Sequence, residues 1–503
     1  MSNNRIYYSL YESKIMTAEE AARLIEDKMI IGSSGFTKAG DSKAVLPAFA
    51  KRAANEQVGI TLITGASLGH TTDTDLANNN ALYKRMPFQL DSSLRGKIND
   101  GSILFIDQHL SETAEQLSNQ HLPGIDIAII EATYIDENGN IIPTTSVGNS
   151  ATFAHLAKQI IIEINTAIPL DFKGIHDVVI PQDYPNRNVY NVTHTGSRIG
   201  QDFISIDPEK VIGVVFTEMT DSPARETESD ETTTAIADHL LDFFTQEIKA
   251  GRLTKSLLPL QAGIGKVANS VLSGFAKGDF EHLTMYSEVL QDSTFELIDS
   301  GKLDFASASS ITVTKACYAT LLANFGRYKD KIVLRPQNIS NSPEIIRRLG
   351  VIAINTAIEF DIYGNVNSTH ITGTKMMNGI GGSGDFARNA YLSIFVAPSV
   401  SKGNKISHVV PMVSHTDHTE HDVDILVTEQ GLADLRGLAP RERAQVIIDN
   451  CVHPEYKEQL QDYYNRALER GGHTPHIIEE ALQWHSSLLQ LGTMKQFVFQ
   501  EQG

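Results

Sequence analysis

"MTAEEAARLIEDKMIIGSSGF", residues 16–36, joins two patterns of different period. Thr17 and Glu20 have the spacing of a capping box, which predicts a helix over 18–27. The next run, 28–36, is apolar until small residues and Gly35 end it, and it reads as a strand. A helix feeding a strand that ends in a glycine loop is the unit of a parallel sheet covered by helices.

The unit recurs along the chain. Further strands are expected in "ITLITGAS" (60–67), "SILFID" (102–107), "IDIAIIEATYI" (125–135), "QIIIEIN" (159–165) and "KVIGVVF" (210–216). In open parallel sheets ligands bind beyond the carboxyl ends of the strands, so the loops "GFTKAGD", "TGASLGH" and "TTSVGNS" are expected to border one cleft. The stretch "TEMTDSPARETESDETT" (217–233) is acidic and lacks apolar periodicity, as a crossing between domains would be. It divides the chain into 1–222 and 223–503. The second part repeats the α/β alternation from "TTAIADHLLDFFTQEIKAG" to "VDILVTEQGLADLRG" and closes with helices in 440–470 and 474–491. The two parts look alike in type but show no clean sequence repeat.

Composition narrows the function. A chain of 503 residues exceeds what one core usually serves. Its 42 basic against 61 acidic residues give a net charge of -19, a field that repels nucleic acid and anionic lipid, so an anionic ligand needs a local site. Two cysteines, Cys317 and Cys451, form no CxxC and fit a reducing compartment. The first residues lack a secretory signal pattern, and no apolar run reaches the roughly 18 residues of a membrane span. These features predict a cytoplasmic protein with no membrane partner.

Two glycine-rich segments, "QAGIGKVANSV" from 261 and "GIGGSGDF" from 379, supply bare backbone. Glycine permits close approach, and amides that start a helix after such a loop can hold an anion or a developing oxyanion. Neither segment makes a dinucleotide fingerprint: the first lacks the later acidic residue, and the second precedes an extended-looking run, "AYLSIF". No GK[ST] is present for a Walker loop. The segment "HTDHTEH", with His415, Asp417, His418 and His421, reads as a polar loop after a strand, and no metal is expected there. Glu288 in "TMYSEVLQD" follows an apolar approach among Tyr286, Val289 and Leu290, where a carboxylate is costly unless partnered or functional. Glu429 in "VTEQG" repeats the situation before Gly431.

Taken together, "MYSEVLQD", "GIGKVAN", "RPQNISNSPEIIRRLG", "YGNVNSTH", "MNGIGGSGDFARNAYLSIF", "VTEQGLADLRGL", "SSGFTKAG", "LITGAS" and "TTSVGNS" resemble the acetyl-CoA hydrolase/transferase family of class I coenzyme A transferases, from about residue 14 to 494. The ending "HTPHIIEEALQWHSSLLQLGTM" is more similar to the succinyl-CoA:acetate group than to the propionyl-CoA:succinate group. The resemblance implies two similar open α/β domains with mainly parallel sheets, an active site in the interdomain cleft and a homodimer. It also implies that coenzyme A is a substrate and that no cofactor is bound permanently; acyl-CoA and small carboxylates are the implied partners.

The same resemblance assigns roles. Glu288 matches the nucleophile that forms an acyl-glutamyl anhydride and then a glutamyl-CoA thioester. The amides of Ile264 and Gly382 match the oxyanion site, Asn341 a residue beside the reacting carboxylate and Glu429 a second active-site glutamate. Gly263, Ile264, Gly265, Lys266, Asn378, Gly382 and Lys402 match the CoA-binding side, and Ser67 and the loop "GFTKAG" the acyl side. The family often has Asn at the position of Lys266, and Arg225 in the linker is a candidate for the carboxylate acceptor.

Overall fold

The Thr17 capping box forms: the Thr17 amide donates to Glu20 Oε2 at 2.9 Å and the Glu20 amide to Thr17 Oγ1 at 3.1 Å, starting the helix Ala18–Arg23. A computed structural model describes residues 3–182, 184–185, 187–226 and 229–495. Strands Ile30–Ser33, Ile60–Ile63, Leu82–Met86, Leu104–Phe105, Ile127–Ala132, Gln159–Asn165 and Val211–Thr217 form one sheet. Counted in chain order, they lie 4-3-2-1-5-6-7 across it, all parallel.

A second sheet takes Leu260–Ala262, Leu283–Tyr286, Leu303–Ala308, Ile332–Leu334, Ile352–Thr356, Leu392–Val396, Ile425–Thr428 and Gly431–Asp434. Its order is 4-3-2-1-5-6-7-8, with only the last strand antiparallel. The two sheets therefore share one winding, although their sequences show no repeat. In each, the order reverses beside the first strand, where a crevice opens at the carboxyl ends.

Burial on both faces explains the unbroken aliphatic runs. Ile160, Ile162 and Ile164 enter one core cluster while Ile161 enters another, and Ala128 and Ile130 divide from Ile127 and Ile129 in the same way. Two strands, Leu82–Met86 and Leu303–Ala308, carry no such run and were not expected. In the first, Arg85 is fully buried; its guanidinium donates to Thr64 Oγ1 at 2.8 Å, Asp73 at 3.2 Å and the Ala66 carbonyl at 3.1 Å. A buried cation thus holds the loop after Ile60–Ile63.

Lys43 is buried as well, with Nζ 2.6 Å from Glu131, 2.8 Å from Asp221 and 3.5 Å from Asp41. Asp221 belongs to the acidic crossing, so this cluster pins the crossing to the first sheet. Removing one partner of a buried charge cluster leaves the rest uncompensated, and Lys43→Met is expected to cost about 3–5 kcal/mol, read from the denaturant midpoint. An unchanged midpoint would contradict this role.

The "TTSVGNS" loop joins the halves instead of bordering the cleft. The Val147 amide donates to the Ser309 carbonyl, Ile311 to Thr145 and Gln337 to Gly148, each at 2.9 Å. A buried ion pair between Asp177 and Arg335 adds to the seam. Helices Pro440–Cys451, Pro454–Arg470 and Gln483–Leu491 complete the fold, and Cys317 and Cys451 are free thiols. Among the described residues, no helix is long and apolar enough to cross a membrane.

Candidate active site

Loops from both sheets meet around a cavity of about 210 Å³. Phe36, Thr37, Ala66 and Phe88 come from the first sheet's carboxyl side; Ile264, Glu288, Asn355 and 378–383 come from the second. The loop 35–40 turns tightly, with Gly35 at φ +119°, Thr37 at +51°, Lys38 at +68° and Gly40 at +65°. Left-handed backbone at non-glycine residues is costly and is held only by its surroundings, here by hydrogen bonds from Thr312 Oγ1 to the Thr37 carbonyl (2.7 Å) and from the Lys38 amide to Ser67 (2.9 Å).

Glu288 lies just beyond the strand Leu283–Tyr286, partly open to the cavity. Asn341 Nδ2 donates to its Oε1 at 2.9 Å. Burial pushes the Glu288 carboxyl up to about 7, against the Asn341 hydrogen bond. Gly382 presses on the same group: a Cβ there would overlap Glu288 Oε1 and Asn341 Nδ2. Its φ of -92° suits any residue, so this glycine is needed for space.

The two glycine-rich segments both lead into helices, Lys266–Lys277 and Ser383–Asn389. In the second, the helix comes between the glycines and the expected extended run, whose strand starts at Leu392. Among the described residues, the amides of Ile264 and Gly382 donate to no protein acceptor. Gly263 is fixed by its amide on the Ile354 carbonyl (2.9 Å) and by Gln291 Nε2 on its own carbonyl (3.1 Å). Gly379 sits where a Cβ would come within 2.9 Å of Asp107 and Phe88, and Asp107 accepts the Ile380 amide at 2.8 Å. Asn378 lines the cavity, and its carbonyl accepts from Gln89 Nε2 at 3.4 Å.

Other expected residues lie elsewhere. Glu429 is not among the residues lining this cavity. The strand leading to it is four places from the strand leading to Glu288, about 19 Å at the usual spacing. Its carboxylate is held by the Ser399 amide at 2.7 Å, the Ser399 hydroxyl and Gln430 Nε2 at 3.0 Å. Lys402 occupies an exposed hairpin turn at φ +51°, away from the cavity lining. Lys266 turns to Asp230 at 2.7 Å and, first by that hydrogen bond, holds it down at about 2. Ser67 is buried behind Ala66, with no partner for its hydroxyl among the described residues.

A second cavity of about 710 Å³ shares Thr37, Leu90, Ile264 and Val289 with the first. Gly265, Lys38 and the exposed Arg225 are on its wall. The histidine loop also supports the site: His418, buried against Phe395, places Nε2 3.1 Å from Ser383 Oγ, while Ser383 donates to the Ile380 carbonyl at 2.7 Å. Asp417 takes Thr369 Oγ1 at 2.9 Å and the Ser368 amide at 2.7 Å. Asp385 and Ser111, described below, were missed because their partners are remote in sequence.

The carboxylate, a side-chain amide donor and two available backbone amides can together carry out nucleophilic acyl transfer with oxyanion stabilisation. Known proteins resemble the chain throughout. Residues 1–216 match the acetyl-CoA hydrolase/transferase N-terminal domain and residues 316–464 the C-terminal domain. A succinyl-CoA:acetate CoA-transferase of Clostridium kluyveri is 48% identical over 98% of this chain and 93% of its own. An acetyl-CoA hydrolase of Eremothecium gossypii is 45% identical over 98% of this chain and 97% of its own. The crystal structure of a 4-hydroxybutyrate CoA-transferase from Porphyromonas gingivalis shares the fold, with a TM-score of 0.62 at 17% identity, covering 91% of this chain and 99% of its own.

Proposed function

The chain belongs to the acetyl-CoA hydrolase/transferase family, and from that premise we propose that it moves CoA between succinyl-CoA and acetate through Glu288. The observation that carries the reading is the Glu288 carboxyl in the cleft, bonded to Asn341 and lining the same cavity as Ile264 and Gly382, whose amides have no acceptor among the described residues. In this route a Glu288 oxygen attacks the thioester carbonyl, the C–S bond breaks, and CoA leaves as thiolate. The thiolate then attacks the glutamyl carbonyl of the mixed anhydride and expels succinate, which leaves a glutamyl-CoA thioester. Acetate attacks that thioester, again releasing thiolate, and the thiolate takes the acetyl group from the new anhydride. No proton changes hands.

Bare backbone at 379–382 lets the thioester approach the main chain, and the larger cavity offers room for the substrate's remaining length. Arg225 on its wall is the cation a dicarboxylate's free end would meet. Lys402 and Glu429 enter this proposal only if the cleft rearranges around CoA. The same reading makes the enzyme a cytoplasmic homodimer with coenzyme A as substrate, and light scattering tests the dimer.

The nucleophile must be ionised. With Glu288 raised to about 7 by burial, kcat/KM is expected to climb about tenfold per pH unit below neutrality and to level off above it. A profile flat from pH 5 to 8 would contradict a Glu288 carboxyl raised toward neutrality by burial.

Hydrolysis of the same intermediate by water is the second reading, favoured by the 45% identical acetyl-CoA hydrolase. Incubation with succinyl-CoA, with and without acetate, separates the two when acetyl-CoA and free thiol are followed together. Acetate-dependent acetyl-CoA with little thiol supports transfer; thiol release indifferent to acetate supports hydrolysis.

A further inference from the structure

Behind Glu288 stands a second carboxylate that the route above does not use. Asp385 is in the first turn of the helix Ser383–Asn389 and is 4% exposed. Its Oδ1 accepts from Ser111 Oγ at 2.6 Å, and its Oδ2 accepts from the Ser111 amide at 3.1 Å and from Asn341 Nδ2 at 3.4 Å. The same Asn341 Nδ2 donates to Glu288 Oε1 at 2.9 Å. A continuous chain of contacts, Ser111–Asp385–Asn341–Glu288, therefore runs from the first half of the molecule to the reacting group of the second.

The two ends of an asparagine amide have nearly the same shape and opposite hydrogen-bonding character. Which end faces Glu288 is decided by what lies beside it. Asn341 Oδ1 is buried without a partner among the described residues, so nothing on that side fixes the amide. Asp385 does, because a flipped amide would turn its oxygen toward acceptors on both carboxylates.

We propose that Asp385 is a positioning residue: it locks the Asn341 amide with its N–H groups toward Glu288, and Ser111 ties that lock to the docking of the two halves. The assignment rests on Glu288 being the nucleophile. Burial, and then the neighbouring Glu288 charge, push the Asp385 carboxyl up to about 8 against the Ser111 hydrogen bonds. The lock works in either protonation state. Oδ2 faces two N–H donors and stays an acceptor, while a proton on Oδ1 meets the Ser111 hydroxyl. For the same reason an asparagine at 385, with its oxygen in the Oδ2 place, keeps the lock.

A double-mutant cycle tests this with the full-length protein and succinyl-CoA plus acetate. Asp385→Ala is expected to lower kcat about 30- to 100-fold with KM within about 3-fold, and Asp385→Asn to retain kcat within about 5-fold. In an Asn341→Ala background, Asp385→Ala is expected to change kcat less than about 3-fold, because the residue acts through Asn341. Effects that multiply, or an Asp385→Asn variant as slow as Asp385→Ala, would overturn the proposal. If Asp385→Ala does not yield folded protein, Asp385→Ser takes its place in the cycle. Covalent CoA on the wild-type protein, measured in parallel without acetate, separates the cases: its absence fails the nucleophile reading, and its presence with multiplying effects fails only the Asp385 assignment.

Discussion

Glu288→Gln is expected to lower CoA transfer at least about 10³-fold while making the protein more stable at pH 8. The loss follows from the route: an amide cannot form the anhydride. The gain follows from burial, which raises the Glu288 carboxyl from 4.5 to about 7. For a carboxyl raised in the fold, the protonated form is the stabilised one. Its contribution is complete below about pH 4.5 and is lost as the pH rises through 7. Above that range the charged group costs up to about 3 kcal/mol relative to a neutral isostere. Glu288→Gln should therefore unfold later than wild type at pH 8 and together with it near pH 4.5. Equal stability at both values would show that the carboxylate is not strained, and retained activity would show that it is not the nucleophile. A residue whose removal costs function and adds stability is selected for chemistry.

Gly382→Ala is the second large effect. A Cβ at this position overlaps both Glu288 Oε1 and Asn341 Nδ2, so the carboxylate must leave its hydrogen bond or the 382 amide must turn away. The first movement displaces the nucleophile and the second removes an oxyanion donor, and with either kcat/KM is expected to fall about 10²- to 10³-fold. The fold should survive, because Glu288 has the cavity into which to swing and φ at 382 is ordinary. Activity within about 5-fold of wild type would mean that the amide at 382 does not face the reaction.

Much of the fold could be read wherever burial on both faces leaves a continuous aliphatic run. "QIIIEIN" forms a strand over the expected span, 159–165. Leu82–Met86 was missed because its centre is Lys84 and Arg85, and only the remote Asp73 and Thr64 make a buried arginine tolerable. In Leu303–Ala308, Asp304 and Ser307 interrupt Leu303, Phe305 and the two alanines, leaving no aliphatic run to signal a strand. After the glycines at 379–384, the short helix Ser383–Asn389 was hidden by the aliphatic strand that follows it.

The site divides in the same way. Glu288, Asn341, Ile264 and Gly382 come together because each lies in a loop at the carboxyl side of the second sheet, a placement that strand order dictates. Glu429 and Lys402 also follow strands of that sheet or its margin, but lateral distance across the sheet keeps them from the cavity lining, and sequence spacing does not encode it. Asp385 gave no signal in the sequence, being one acidic residue after a run of glycines. Its meaning depends on Ser111, 274 residues earlier.

The most direct test is to incubate the protein with succinyl-CoA in the absence of acetate, digest it, and weigh the peptide that contains Glu288. A mass gain of one CoA on that peptide, discharged by acetate and absent in Glu288→Gln, is the predicted result. Turnover in the presence of acetate with no CoA on any peptide, or with CoA attached elsewhere, would contradict the account.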